Sequence, residues 1–218
     1  MEIFHAHPLG IIISIAAAGA ALAYYFSWKR GKDVEQLAVS AGLPYSAAGP
    51  DVNVLEAAGL GIFRLGHSRK AANLVKTQAR SGVISFFDYR YVTSGGKNSH
   101  VHNFTLALVE CSGSPVPCFE LKPESFIYKI GEAVGFKDID LPAFPLFSDK
   151  YRLTGPDEAA VRLFFTPQRA AWFERNLGLR VQGAPGYIVI SKRDGYLPVN
   201  AWGGFMEDVK AFAAEALL

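Results

Sequence analysis

The sequence contains few of the residues and motifs that identify a reaction. Its only two cysteines, Cys111 and Cys118, are too far apart for the C-x-x-C of a redox motif or a zinc knuckle. The patterns G-x-S-x-G and G-x-x-x-x-G-K-[ST] are absent, and the three glycines of GLGIFRLG (59–66) are interpreted as turns. We therefore predict no catalytic residue, no metal site and no cofactor.

The chain also lacks the strong basic charge of a nucleic-acid-binding protein. Its net charge is only +2, so no nucleic-acid partner is expected. The charge is uneven, since residues 29–80 carry eight basic and four acidic side chains and residues 81–218 carry fourteen and fifteen. A basic first third suits an anionic lipid surface as a partner. Hydrophobic residues make up 50% of the chain, which indicates a folded core.

Charge is missing altogether between Leu9 and Trp28. A helix that crosses the hydrocarbon core of a bilayer needs about 20 apolar residues, so residues 9–28 are predicted to be a transmembrane helix after a short extracytoplasmic N-terminus, residues 1–8. Aromatic and basic residues, which settle at lipid headgroups, form its flank: Tyr24, Tyr25, Phe26, Trp28, Lys29, Arg30 and Lys32. No Lys or Arg precedes the span, so the positive-inside rule predicts a single-pass protein with its bulk in the cytoplasm.

Two other interpretations of this segment are a cleaved signal peptide and a buried helix of a soluble protein. A signal peptide has a basic n-region, a shorter apolar core of about 7–15 residues and an A-x-A-like cleavage site. The letters ALA at 21–23 supply the cleavage site, but the basic n-region is absent. The anchor is therefore preferred, and in the cytoplasm Cys111 and Cys118 are expected to be free thiols.

After the anchor, residues 29–60 are predicted to form a juxtamembrane helix (33–42) and a linker, and residues 61–218 a soluble domain. The clearest element of that domain is a β-hairpin, with strands at 79–93 and 100–110 joined by the turn SGGKN. A brief strand follows within residues 117–122, and then a helix that begins at Pro123 and ends at Gly135.

The remaining segments complete the prediction. An extended crossing with a short strand near 151–153 is followed by helices that start at Pro156–Glu158 and Thr166–Pro167. A second strand pair (179–199) has its turn at Asp194–Gly195, and a last helix runs from 202 to 217. The predicted fold class is α+β, with an N-terminal transmembrane helix followed by antiparallel β-hairpins with helices packed on one face.

Three stretches resemble an uncharacterised bacterial family of membrane-anchored domains. They are GVISFFDYRY (82–91), FELKPESF (119–126) and DIDLPAFPLFSDKYRLTGPDEAAVRLFFTP (138–167). The resemblance implies a single N-terminal span followed by an α+β domain. The family has no established reaction, so it implies no catalytic residues.

Asp88, His100 and His102 are the only weak candidates for catalysis. Asp88 interrupts an apolar strand, where a carboxylate can act as an acid or a base; a solvated position or a partner arginine is the alternative. His100 and His102 lie two residues apart, so both rings point to the same face of a strand. With His67 or Asp88 nearby they form a candidate metal site, against the alternative of exposed histidines beside a turn.

These observations, with the resemblance, favour a membrane-tethered, non-enzymatic domain that binds another protein, or itself, as a scaffold at the cytoplasmic face of a bacterial inner membrane. A tether of this kind raises the effective concentration of the domain for membrane partners. The alternative is a membrane-associated enzyme, a hydrolase of a lipid or envelope substrate, whose site contains Asp88, His100 and His102. That alternative requires a pocket in which these groups converge.

Overall fold

The computed structural model describes residues 8–80, 82–96, 98–111, 113, 115–124, 137–215 and 217, with side chains from residue 13 onward. The helices of this part of the chain are α1 (Pro8–Ser40), α2 (Val52–Ala57), α3 (Pro145–Lys150), α4 (Glu158–Phe164), α5 (Pro167–Arg175) and α6 (Trp202–Glu215). The strands are β1 (Tyr45–Ala48), β2 (His67–Ala79), β3 (Gly82–Gly95), β4 (Asn98–Glu110), β5 (Phe119–Pro123), β6 (Tyr151–Thr154), β7 (Arg180–Ala184) and β8 (Tyr187–Ser191). Short 3-10 turns lie at Gly61–Arg64 and Val199–Ala201.

Helix α1 differs from the prediction. It is one helix of 33 residues, so the segment predicted to span the membrane and the predicted juxtamembrane helix are continuous. Within the described residues, no helix combines the length and the apolar character that crossing a membrane requires, and this finding corrects the transmembrane helix predicted at 9–28. The helix continues without a break into the charged residues of 29–35, and the side chains of 9–12 lie outside the described residues.

The two parts of α1 have different surroundings. Every side chain from residue 13 to residue 29 is exposed. From Arg30 onward one side of the helix faces the domain, and Val34 and Ala38 are fully buried. The spacing of four residues places these three on one side of an α-helix. The last third of α1 is therefore docked on the domain, and the part before it projects.

The strands form one antiparallel sheet in the order β1-β2-β3-β4-β8-β7-β5-β6. The predicted hairpin is confirmed as β3 and β4, which pair from Ile84–Val109 to Gly95–Asn98. Strand β2 pairs with β3 on its other side, and the short β1 closes that edge. Part of the predicted linker thus belongs to the sheet.

The sheet has a core on each face, which corrects the prediction that helices pack on one face only. Alternate residues of β3 point to opposite sides. Phe86 belongs to the larger core, with α1 and α3–α6, and we call this side the α1 face. Phe87 belongs to the smaller core, which α2 and the 3-10 turn Gly61–Arg64 close, and we call this side the α2 face. The α+β class is confirmed.

Helices α4, α5 and α6 begin where the sequence predicts. The Asp157 carboxylate accepts a hydrogen bond from the backbone N–H of Ala160 at 3.0 Å, which caps α4. The Thr166 hydroxyl accepts one from the N–H of Arg169, which caps α5. Two further predictions, the strand near 151–153 and the final helix, are confirmed as β6 and α6.

Two predictions for the C-terminal half are wrong. The turn of the second strand pair lies at 185–186, between β7 and β8, where Gly186 has the left-handed conformation (φ +82°) of a tight turn. It does not lie at Asp194–Gly195, because β8 ends at Ser191 and these residues follow it. Residues 145–150 form helix α3 and not an extended crossing. The helix predicted to end at Gly135 falls on 125–136, outside the described residues.

Candidate functional site

Asp88 lies near the middle of β3 and is only 2% exposed on the α1 face of the sheet. Its neighbours on the strand, Phe87 and Tyr89, are fully buried on the other face. A buried carboxylate without partners would cost several kcal/mol. The contacts of Asp88 therefore decide what it does.

The principal partner of Asp88 is Arg30 of helix α1. The Nε of Arg30 donates to one carboxylate oxygen at 2.7 Å and its Nη2 donates to the other at 2.8 Å. This is the two-pronged geometry that a planar guanidinium makes with a carboxylate. From the sequence, a partner arginine is the alternative to a catalytic role of Asp88, and the structure has this arrangement. It joins α1 to the middle of the sheet.

Asn73 and Thr105 complete the shell of Asp88. The amide Nδ2 of Asn73 donates to one oxygen at 2.8 Å, and the Thr105 hydroxyl donates to the other at 3.0 Å. Each oxygen thus accepts two hydrogen bonds. Asn73 reaches Asp88 from a left-handed conformation (φ +56°) at an irregularity between Ala72 and Val75 of β2. Asparagine tolerates this conformation better than most residues.

The same groups also hold the chain before α6. The Nη1 of Arg30 donates to the carbonyl of Leu197 at 2.9 Å, and the N–H of Leu197 donates to Thr105 Oγ1 at 2.9 Å. The guanidinium lies 4.7 Å from the ring centre of Tyr196, a cation–π contact. Burial raises the pKa of the Tyr196 phenol, and the charge of Asp88 raises it further.

Two smaller contacts show how tightly α1 approaches this point. The Tyr45 hydroxyl donates to Asn73 Oδ1 at 3.1 Å. Gly31 follows Arg30, and a Cβ at Gly31 would lie 3.3 Å from that same oxygen. We call Arg30, Tyr45, Asn73, Asp88, Thr105 and the Leu197 backbone the Arg30–Asp88 network. Its hydrogen bonds connect α1, the strands β1 to β4 and the chain around Leu197, so the network acts as a structural clamp.

The candidate histidines do not join this network. His102 pairs with Tyr91 across β3 and β4 and stacks on its ring at 4.7 Å, on the α2 face. His102 Nε2 lies 2.8 Å from the Thr93 hydroxyl, and His100 is exposed opposite Thr93. His67 contacts two serine hydroxyls. No group of three or more metal-ligating side chains occurs among the described residues.

The residues predicted to flank the membrane anchor separate into two groups. Arg30 is turned into the network, so its assignment to the headgroups is corrected. Trp28 and Lys29 are exposed on the projecting part of α1. Lys32 is exposed and makes an ion pair with Glu35, one helical turn away, at 2.8 Å.

The two cysteines have different surroundings, and both are free thiols. Cys111 is buried, and burial raises the pKa of its thiol to about 11. Cys118 is exposed at the start of β5. Because the thiolate is the reactive form, Cys118 is the accessible nucleophile of the pair.

An apolar cleft of about 420 Å³ lies on the far half of the sheet. It is lined by Pro115, Val116, Pro117, Ala160, Leu163, Phe164 and Arg169. Leu163 is the most exposed large apolar side chain of the described residues, at 80%. The Arg169 guanidinium lies 4.2 Å from the Phe164 ring centre and closes one wall.

Several members of the network carry no signal in the sequence. Asn73, Thr105 and Leu197 lie in ordinary strand or loop contexts, and Arg30 is one of several charges in the stretch 29–33. Only Asp88, a carboxylate in an apolar strand, suggests a buried charge with a partner. Arg30 and Asp88 are 58 residues apart, so proximity along the chain gives no help.

These features define an α+β protein built on one eight-stranded antiparallel sheet, with a long N-terminal helix clamped to one face. Its fold is similar to the crystal structure of the mycobacterial trehalose monomycolate transport factor A, TtfA, with a TM-score of 0.56. The two sequences are 14% identical, and the match covers 84% of this chain and 92% of that one. At this identity the likeness concerns the fold alone. No family model and no curated protein matches the chain.

Replacing Arg30 with alanine is expected to lower the free energy of unfolding by about 3–5 kcal/mol, because Asp88 would remain buried without its cation. Urea unfolding of the full chain measures this. Lys32→Ala is the matched control. It removes a cation two residues further along the helix, from the exposed Lys32–Glu35 pair, and is expected to leave the free energy of unfolding nearly unchanged. Arg30→Lys should fall between them, since it keeps the charge but not the two-pronged contact. Equal losses for the two alanine variants would contradict the structural role of the network.

Proposed function

We propose that this chain is a non-enzymatic scaffold domain that is held at the cytoplasmic face of a bacterial inner membrane through the projecting part of α1. There it binds another protein or a second copy of itself. The observation that supports this most strongly is the contrast within α1. Residues 13–29 are exposed on every side, while Arg30 clamps the same helix to the sheet.

The exposed residues have the composition of a lipid-contacting surface. Ile13, Ile15 and Leu22 are between 57% and 67% exposed, and aromatic rings follow them. Water disfavours apolar surface by about 25 cal/mol for each Å², so exposed apolar side chains of this kind gain from contact with an apolar partner. Tyr24, Tyr25, Phe26 and Trp28 precede Lys29, and this order of rings and then cations is typical of a membrane interface.

The roles of the polar side chains support a binding function without catalysis. The most extensive network of polar side chains among the described residues is the Arg30–Asp88 network, and its hydrogen bonds hold helix α1 to the sheet. TtfA, which shares the fold, is a transport factor for trehalose monomycolate. A comparable role as a transport factor fits the present chain.

The hydrolase alternative has less support. It requires Asp88, His100 and His102 to converge in one pocket. Asp88 faces α1, whereas His102 stacks on Tyr91 on the opposite face of the sheet. No described contact brings these side chains together, so we propose the scaffold in preference.

The cytoplasmic side is supported by the cysteines and by the charge. Both thiols are free, as is usual in a reducing compartment. The basic residues that follow the aromatic cluster match the anionic inner leaflet of the membrane.

Vesicle binding tests the role of α1. The full chain is expected to float with phosphatidylcholine vesicles in a density gradient, and Ile13, Ile15, Leu22 and Phe26→Ser together should weaken this by about tenfold or more. The matched control replaces four apolar residues of the domain with similar exposure, Val54, Leu146, Leu163 and Leu177→Ser. The control should still float. Loss in both variants, or in neither, would contradict attachment through α1.

Cross-linking in intact cells tests the binding of a partner. The full chain has a mass of 23.7 kDa and is expected to give discrete larger products after amine cross-linking and denaturing electrophoresis. Expression in an unrelated bacterium is the control, since a product that persists there reports self-association and one that disappears reports a specific partner. Only monomer in both hosts would count against the scaffold.

Thiol labelling tests the side of the membrane. A membrane-impermeant maleimide is expected to leave Cys118 unlabelled in intact spheroplasts and to label it after lysis. At pH 7.5 Cys111 should stay unlabelled in the folded chain, because its thiol has a pKa of about 11. Cys118→Ser should abolish the signal. Labelling of Cys118 before lysis would place the domain outside the cytoplasm.

A further inference from the structure

Two basic side chains face each other across strands β2 and β3 without an acidic neighbour. Lys70 and Arg90 are directly opposite in the register, and both are exposed. Like charges in this position destabilise a strand pair. Within the described part of the chain neither takes part in an ion pair. An anion supplied from outside would remove this repulsion.

The nearest carboxylate along the strand cannot supply that anion. Asp88 lies two residues before Arg90, on the same face, but it is 2% exposed. Both of its oxygens are already occupied by Arg30, Asn73 and Thr105. The residue opposite Arg90 on β4 is the neutral Asn103.

The direction of α1 places this pair at the base of the projecting segment. Arg30 contacts the sheet at the Ala72–Asp88 pair. The C-terminal end of α1 leads into Pro44. The Pro44 carbonyl accepts a hydrogen bond from the N–H of Lys76, which lies on β2 beyond the Ala72–Asp88 pair, away from Lys70. From Arg30 towards its N-terminus, α1 therefore runs in the direction of Lys70 and Arg90. Trp28 and Lys29, which precede Arg30 in the helix, are exposed.

We infer that Lys70 and Arg90 form a surface that binds the headgroups of anionic phospholipids. The inference rests on the proposed function and adds the chemistry of the lipid to it. Exposed apolar residues of α1 and exposed cations of the sheet are held in one fixed relation by the Arg30–Asp88 network. Apolar and aromatic side chains beside a group of cations match an anionic bilayer surface, where each cation strengthens binding about fivefold.

Lipid titration of the full chain tests this surface. Wild-type protein should bind vesicles of phosphatidylcholine and phosphatidylglycerol (3:1) more tightly than vesicles of phosphatidylcholine alone at 0.1 M salt. Lys70→Gln with Arg90→Gln should weaken binding to the anionic vesicles by about 25-fold and leave binding to the neutral vesicles unchanged. Salt at 0.5 M should remove most of the difference because it screens exposed charges.

The matched control is Lys137→Gln with Lys150→Gln, two exposed lysines elsewhere in the domain. This control should bind like the wild type, and thermal unfolding should show that both double variants are folded. Equal binding of the wild type to both vesicle types would overturn the inference and leave attachment through α1 intact. Equal losses of binding to the anionic vesicles in the two double variants would have the same meaning. Absence of binding to either vesicle would instead contradict the proposed function.

Discussion

The buried ion pair between Arg30 and Asp88 is the contact on which the arrangement of the other elements depends. A buried pair gains little net stability, since desolvation offsets much of the attraction, but either charge alone is costly. Only arrangements of the chain that keep Arg30 and Asp88 in contact are therefore stable. If β3 slipped by one residue, Asp88 would point to the α2 face and lose Arg30. The pair thus fixes the register of the sheet and the position of α1 at once.

The backbone around this pair carries a cost that the network offsets. Asn73 has a left-handed conformation in a strand, and Gly31 weakens a helix interior by about 1 kcal/mol relative to alanine. The Asn73 amide uses both of its ends, since Nδ2 donates to Asp88 and Oδ1 accepts from Tyr45. A Cβ at Gly31 would lie 3.3 Å from that Oδ1, so glycine suits this position. Local irregularity of this kind persists where surrounding contacts over-determine it.

The sequence predicted what depends on near neighbours along the chain. The β3–β4 hairpin has strand residues on both sides of a glycine turn, and the caps Asp157 and Thr166 act within three residues, so all of these were visible. The continuity of α1 was missed because the charges after Trp28 suggested a membrane flank, whereas Arg30 is held by a carboxylate 58 residues away. The Asp194–Gly195 signal was misleading because Pro185–Gly186 makes the turn. The order of eight strands and the partners Asn73 and Thr105 depend on tertiary contacts alone.

The unbroken helix makes α1 a rigid rod with one fixed end. The part from Pro8 to Lys29 extends about 33 Å beyond the clamp, at about 1.5 Å for each residue. A tilt of only 10° at the fixed end would move the free end by about 6 Å over this length. Forces on the rod are therefore transmitted to β3 and to the segment before α6 as torque. A load at one end of the molecule would be felt first at Asp88 and Leu197.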